Sequence, residues 1–472
     1  MSIAEYFQEP NAERVLLVEI ERNVSPAKTY YLSDGFYVTE PSDTPSNVGY
    51  SPVIGGSGLP EFRRTLNDPF TGNASTSFGN LELSDTDVAF TQGATKSYEE
   101  IFTPKGAKVR MFLAAPREVF PREDAVSLAV GTVQSFSGST DGRYTIEISD
   151  NREIVAGSVL SVTDYPLTYG LVRNMTAVLA DPAIRKYFVN QGAIESIDAV
   201  YDDGVLLSPL QYTVDLSNGS FILSNNPNGS ITADVKGMKV GGVWLSTTQQ
   251  IITDILSKAG VTGFTTEFSL ASGTIGYLVK ESVQLQTVLN DLCQGCGAYW
   301  LIDRTGILNF KTYPVVSGLG QVFTEVDLLS EAEYVTEENL FSTVNFTYKN
   351  NWTIQQPRVG ASTVHSVFVQ KPSEESEVSL LSVDSELQYT SSPVVRTYFD
   401  SLSDAESVGT AILNLFSTPR KYYSFTVPYI NTLDLGSTCT IMVDALEATG
   451  VVTEVSDVFD GSYPTQRIKM IV

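Results

Sequence analysis

Three dipeptides, Asp203-Gly204, Asn218-Gly219 and Asn228-Gly229, each stand between two apolar, β-branched runs within residues 190–237. A two-residue hairpin loop that follows the twist of its strands needs positive φ at its centre, and Asx-Gly supplies it at little steric cost. The spacing predicts a meander of three β-hairpins.

The same texture extends in both directions. Residues 15–21, 29–32, 36–39, 81–83 and 109–113 are short β-branched or aromatic runs separated by Pro, Gly, Ser and Asn, which predicts a small β-barrel or sandwich over residues 1–120. Residues 127–135 and 143–149 alternate around the turn-like Ser137-Gly138-Ser139-Thr140-Asp141-Gly142, and residues 159–162 add a further strand.

Helical signals are few and local. Thr247 and Gln250 form a capping-box pattern ahead of Ile251, Ile252, Ile255 and Leu256, with Gly260 placed to stop the helix. Leu285, Val288, Leu289 and Leu292 stripe a second helix over 282–295, and residues 299–302 and 307–311 form a hairpin about 303–306. Ser403 and Glu406 read as a capping box for a third helix, which Pro419 ends. Residues 374–385 are acidic and Ser-rich enough to read as an exposed loop. Residues 422–428, 438–443, 450–455 and 466–471 are four closely spaced strands, as in a small closed or nearly closed sheet.

A chain of 472 residues exceeds one compact core. The fold class expected is mainly β with an α+β module, in several small barrels or sandwiches. The divisions fall at 1–120, 121–165, 166–240 (the meander), 241–315 (the α+β module), 316–420 and 421–472.

Charge removes one function class. Lys plus Arg total 30 against 55 Asp plus Glu, a net charge of −25, so the average surface repels nucleic acid. The same surface suits a wall that DNA slides past without specific binding. The polar segment after Met1 lacks the pattern of a signal peptide, and no apolar run approaches the roughly 20 residues that span a bilayer. Three cysteines argue against a disulfide framework and fit synthesis in a reducing cytoplasm.

Catalytic constellations are hard to assemble from these residues. The single histidine, His365, lies in a Ser/Thr/Val-rich stretch with no nucleophile elbow. Cys293-Gln294-Gly295-Cys296 has the C-x-x-C spacing of metal and redox sites, yet only Cys439 remains as a further thiol. Cys293 follows Leu289 by four and Cys296 follows Leu292 by four, so both continue the apolar stripe and read as core residues. Metal, cofactor and catalytic residues are therefore all expected to be absent, with Cys293, Cys296 and Cys439 the weak metal candidates. Acid pairs such as Asp202/Asp203 and Asp457/Asp460 are too common here to signal a glycosidase. Gly55-Gly56-Ser57-Gly58 lacks the following Lys-Ser or Lys-Thr of a phosphate loop.

One stretch carries a resemblance. Tyr165-Pro166-Leu167-Thr168-Tyr169-Gly170, Arg173-Asn174, Val178-Leu179, Asp181-Pro182 and Tyr187 precede Ile197-Asp198-Ala199-Val200-Tyr201-Asp202-Asp203-Gly204-Val205. Tyr212-Thr213-Val214-Asp215, Gly219, Phe221 and the segment 231–237 complete it. This pattern resembles the baseplate hub or tail-tip hub proteins of long-tailed bacteriophages and prophages. The order of later segments is similar too, including Phe346-Thr347-Tyr348-Lys349-Asn350-Asn351-Trp352-Thr353, a late helix and a C-terminal barrel. The likeness covers most of the chain after residue 110; Cys-Gly-Ala-Tyr-Trp at 296–300 departs from it, because relatives have small residues before the aromatics.

The resemblance implies a structural, non-enzymatic virion protein: a trimeric ring that closes the distal end of the tail tube and gates its channel. Implied partners are further copies of the chain, the distal tail or tube protein, the tape measure protein, and a central fibre or spike. The alternatives are a distal tail ring or a saccharide-binding host-recognition protein, in which aromatics such as Trp352 or Tyr398 would line a groove, and a tail-associated cell-wall hydrolase.

Overall fold

The computed structural model describes residues 3–8, 12–22, 28–55, 61–66, 70–84, 106–138, 143–150, 152–262, 266–270, 272–314, 316, 318, 320–337, 340–430, 433–443, 446–459 and 464–472. The chain is mostly β, with several sheets that each bury a core of their own. Residues 56–58, 139–142 and 460, which belong to the Gly-rich segment, a turn and an acid pair singled out above, lie outside the described residues.

The first sheet runs in the order Tyr37–Val38, Gly49–Pro52, Lys28–Ser33, Val15–Arg22, Lys108–Ala114, Val126–Gly138, Arg143–Ser149, Asn80–Ser84. Val15–Arg22 is central because it is apolar on both faces. Leu16, Val18 and Ile20 enter one core while Leu17 enters another with Tyr37 and Tyr50. A strand that must bury both faces has to have neighbours on both edges, and it pairs Val18 with Leu32 on one side and Met111 on the other.

Residues 167–279 build a pair of sheets. One is ordered Val205–Leu206, Ile194–Asp202, Ile231–Val240, Leu167–Thr176, Gly276–Val279; the other is Val178–Asp181, Lys186–Phe188, Ser220–Leu223, Tyr212–Asp215. They share a core that includes Val172, Met175, Phe221 and Val235. The three-hairpin expectation needs correction. Asp203 and Gly204 have φ of 52° and 78° and close a hairpin, as Asx-Gly turn chemistry demands. Gly219, at φ 61°, closes another. Asn228-Gly229 joins two different sheets, and its backbone amides instead donate to Asp202, Asn228 N to Oδ2 at 2.9 Å and Gly229 N to Oδ1 at 2.9 Å.

Helix Thr248–Lys258 begins at Thr247, whose Oγ1 accepts from the Gln250 amide while Gln250 Oε1 accepts from the Thr247 amide. It packs with Leu285–Gly295 against the hairpin Ala298–Ile302/Leu308–Thr312, in the largest core of the molecule. The strand Leu340–Tyr348 pairs with Glu374–Ser379, so the first half of the acidic segment read as an exposed loop is a strand, its residues alternating between half-buried and exposed. Helix Leu402–Phe416 starts two residues before the expected cap, at Ser401, which makes no side-chain capping bond. Among the described residues no helix is long and apolar enough to cross a membrane.

The last sheet runs Gln321–Thr324, Thr438–Val443, Leu446–Phe459, Pro464–Ile471, Arg420–Pro428, Glu333–Glu337. It also takes in the hairpin Phe62–Leu66/Ala74–Phe78 from the first part of the chain, through pairing of Glu454 with Thr65 and Asp457 with Phe62.

Candidate functional site, a buried polar joint

Several residues that carry the sequence resemblance, among them Arg173, Asn174, Tyr201, Asp234, Asn351 and Thr353, converge where the sheet of residues 167–279 meets the segment 340–400. Leu167–Thr176 is apolar enough to run through the middle of that sheet, and this carries the polar pair Arg173-Asn174 into the joint. Gly170 sits at φ +60°, and a Cβ there would lie 1.7 Å from the Ile275 carbonyl oxygen. Only glycine fits this crossing. The preceding Tyr169 is fully buried, and its hydroxyl donates to Asp254 at 2.7 Å, tying the strand to helix Thr248–Lys258.

Asn174 is itself left-handed, at φ 49°, a conformation that Asn tolerates better than most side chains. Its backbone amide donates to Asp234 Oδ1 at 2.8 Å, and its side-chain Nδ2 to Asn351 Oδ1 at 2.9 Å and the Thr353 carbonyl at 2.7 Å. Asn351 Nδ2 donates in turn to the carbonyls of Val369, at 3.1 Å, and Lys371, at 2.6 Å. Arg173 Nη2 meets Asp400 Oδ2 at 2.8 Å, and Nη1 lies 3.8 Å from Asp234. Burial pushes the Asp234 carboxyl above its usual range, against the Asn174 amide and the Arg173 charge.

His365 closes the joint. Its ring stacks on Tyr201, with centroids 3.9 Å apart, while the Tyr201 hydroxyl donates to Asp234 at 3.2 Å. Burial pulls the imidazole below its ordinary range, against the Asp234 charge. The His365 backbone amide donates to the Ser362 hydroxyl, the cap of the short helix Thr363–Phe368, and among the described residues no hydroxyl or thiol is hydrogen-bonded to its ring.

A second joint holds the early hairpin in the last sheet. Arg64 is wholly buried and pairs with Asp434 at 2.7 Å and Asp457 at 3.0 Å. Gln466 Nε2 donates to the other Asp457 oxygen at 2.7 Å. Asp457, named above only as half of an acid pair, is thus an ion-pair partner; Asp202, likewise, is occupied by the turn at 228–229.

The three thiols are not brought to one place. Cys293 and Cys296 lie in the core around the two helices, and Cys439 lies in the core of the last sheet, 3.2 Å from the Met470 sulfur. Burial raises all three, Cys296 and Cys439 to about 12, and Cys293 is raised further by the neighbouring Cys296. A metal ligand needs the thiolate, and these environments oppose it. Among the described residues no group of three or more His, Cys, Asp or Glu is placed to hold a metal ion. Tyr398 is buried in the core, and half-buried Trp352 stacks on it with centroids 6.3 Å apart.

Sequence reasoning missed both joints. Arg64 has no local signal, because its partners lie about 370 and 393 residues away. Arg173-Asn174 had one: a charged and an amide residue inside an otherwise apolar strand, which has to find partners if it is buried.

No family model matches the chain, and no curated protein matches it. Solved structures do. A tail protein from Neisseria meningitidis MC58 superposes with a TM-score of 0.48 at 7% identity, over 97% of this chain and 96% of that one. The 43 kDa tail protein of prophage MuSo2 from Shewanella oneidensis gives 0.44 at 11% identity, over 97% and 98%. A prophage tail protein from Listeria monocytogenes EGD-e gives 0.44 at 9% identity, over 97% and 94%. At these scores the superpositions record a loose likeness along nearly the whole chain and carry no argument about its role.

Proposed function

We propose that this chain is a structural subunit of a phage-type tail, a hub that closes the distal end of the tail tube and joins it to a central fibre or spike. The supporting observation is the last sheet, which ends in two strands with no outer neighbour among the described residues, Gln321–Thr324 and Glu333–Glu337. On the second, the described side chains are exposed on both faces, with Tyr334 at 62% and Val335 at 69%. An uncovered edge with a β-branched and an aromatic residue is a template for another strand. One edge of each copy laid on the opposite edge of the next makes a head-to-tail contact, which gives a ring when the rotation between copies closes.

On this reading the ring is a trimer, located at the tail tip and made in the cytoplasm of the bacterial host. Its partners are the distal tail or tube protein and the tape measure protein, and its acidic surface lets DNA pass without specific binding. It works without a cofactor and without catalysis, through assembly and channel opening. As a modular plan we propose divisions at 120, 165, 240, 315 and 420, with strands lent across them: the hairpin 62–78, Gln321–Thr324 and Glu333–Glu337 join the last sheet, and Gly276–Val279 joins the sheet of the meander. Burial of Tyr398, with Trp352 stacked on it, counts against a saccharide-binding role for those aromatics.

The mass of the full chain in solution, by light scattering, tests the ring. A trimer is expected, and Val335→Lys, which places a charge on the open edge, is expected to shift it to monomer. A monomer at every concentration, unchanged by that substitution and unable to enter assembled tails, overturns the reading.

A further inference from the structure

The last sheet has a second face. Tyr423, Val452, Ile468 and Met470 point into its core, so their neighbours along the same strands point the other way. There Tyr422 pairs with Ile471, which pairs with Val451, giving an apolar row across three strands. This row floors a cavity of about 500 Å³, walled by Leu415 and Phe416 at the end of helix Leu402–Phe416 and open beside the exposed edge strand.

Two cations stand among these apolar groups. Arg420 lies over the Phe416 ring, 3.9 Å from its centroid, and Lys469 Nζ lies 4.6 Å from the centroid of Tyr422. Lys469 makes no ion pair with a carboxylate among the described residues. The one acid on the floor, Glu454, faces Lys469 across the ladder but is held by Arg63 at 2.9 Å. The Lys469 ammonium thus keeps a ring contact and, among the described residues, no carboxylate within ion-pair distance, above an apolar floor. It marks a place where one negative charge gains an ion pair while its apolar body leaves water. Glu454 repels a second negative charge, which favours a monoanion over a phosphate dianion.

We propose that this cavity binds an amphiphilic monocarboxylate, with its chain over Tyr422, Val451 and Ile471 and its carboxylate on Lys469. The size is that of an ordinary small-molecule site, and an apolar lining with a few placed polar groups is the usual composition. The inference does not need the tail reading, although Val335 and Thr336 of the edge strand line the cavity as well.

Calorimetric titration of the full chain with hexanoate, octanoate and decanoate tests it. Affinity is expected to rise about three- to fourfold per methylene, as burial of each CH₂ requires. Lys469→Gln should weaken decanoate about tenfold, the loss of one charge-assisted contact, and leave decanol unchanged. Thr336→Trp, at the exposed mouth, should weaken both ligands, with circular dichroism confirming that each variant is folded. Absence of saturable decanoate binding overturns the proposal. So does an affinity indifferent to chain length, or one equal in wild type and Lys469→Gln.

Discussion

Two arginines hold distant parts of this chain together, and they do so in different surroundings. The Arg64 guanidinium is wholly buried, and one of its partners, Asp457, is 1% exposed. Arg173 and Asp400 keep about a quarter of their side-chain surface in water, and the burden of that joint is shared with the neutral amides of Asn174 and Asn351. Removing one partner from a dry ion pair strands a charge, whereas a half-wet pair can be rehydrated. The first joint is therefore brittle and the second graded.

Loss of Arg64 gives the sharpest test. Arg64→Ala should cost about 3–5 kcal/mol in chemical denaturation, because Asp457 remains buried without its cation. Asn351→Ala comes next, at about 2–3 kcal/mol, since it takes a partner from the Asn174 side chain, the Thr353 amide and the Lys371 carbonyl. Arg173→Ala should cost less, about 1–2 kcal/mol, with water replacing part of the lost contact. An Arg173 effect equal to that of Arg64 breaks the distinction between the two joints.

The smallest effect is one of pH. Because the folded His365 imidazole titrates below its free value of 6.5, the unfolded chain binds the extra proton between those two values. Stability attributable to this group is full above pH 6.5 and is lost as pH falls toward the folded value. Asp234 has the opposite sense, since its raised carboxyl binds the proton in the folded chain first, in the window above its usual 3.8. Replacing His365 with Phe should flatten the denaturation midpoint between pH 7 and 5, by less than about 1 kcal/mol.

Much of the local structure was legible because periodicity and caps act over a few residues. The strand Arg143–Ser149 and the helix opened by Thr247 and Gln250 follow directly from alternation and from a reciprocal cap. Pairing over long distances was not. Nothing in residues 62–66 announces that they lie against residues 454–457. The strand Glu374–Ser379 was hidden for another reason: it is never fully buried, so its Glu and Ser residues give no apolar alternation. The dipeptide Asn228-Gly229 misled because turn chemistry reports a bend and says nothing of which strands flank it. The joint at Arg173-Asn174 was visible as a resemblance but not as an interaction, since its partners come from 177 and 227 residues further on.

The hairpin Phe62–Leu66/Ala74–Phe78 sets an order for the birth of the molecule. It is translated hundreds of residues before the strand it lies against, Leu446–Phe459. Pairing across so long a stretch is slow to form, and the edge stays open to wrong partners until it does. A nascent chain must therefore carry this hairpin, with the Arg64 charge on it, unsatisfied until the strand Leu446–Phe459 has been made. The last sheet then works as a completion check, since a chain released early lacks the strand that would cover the hairpin.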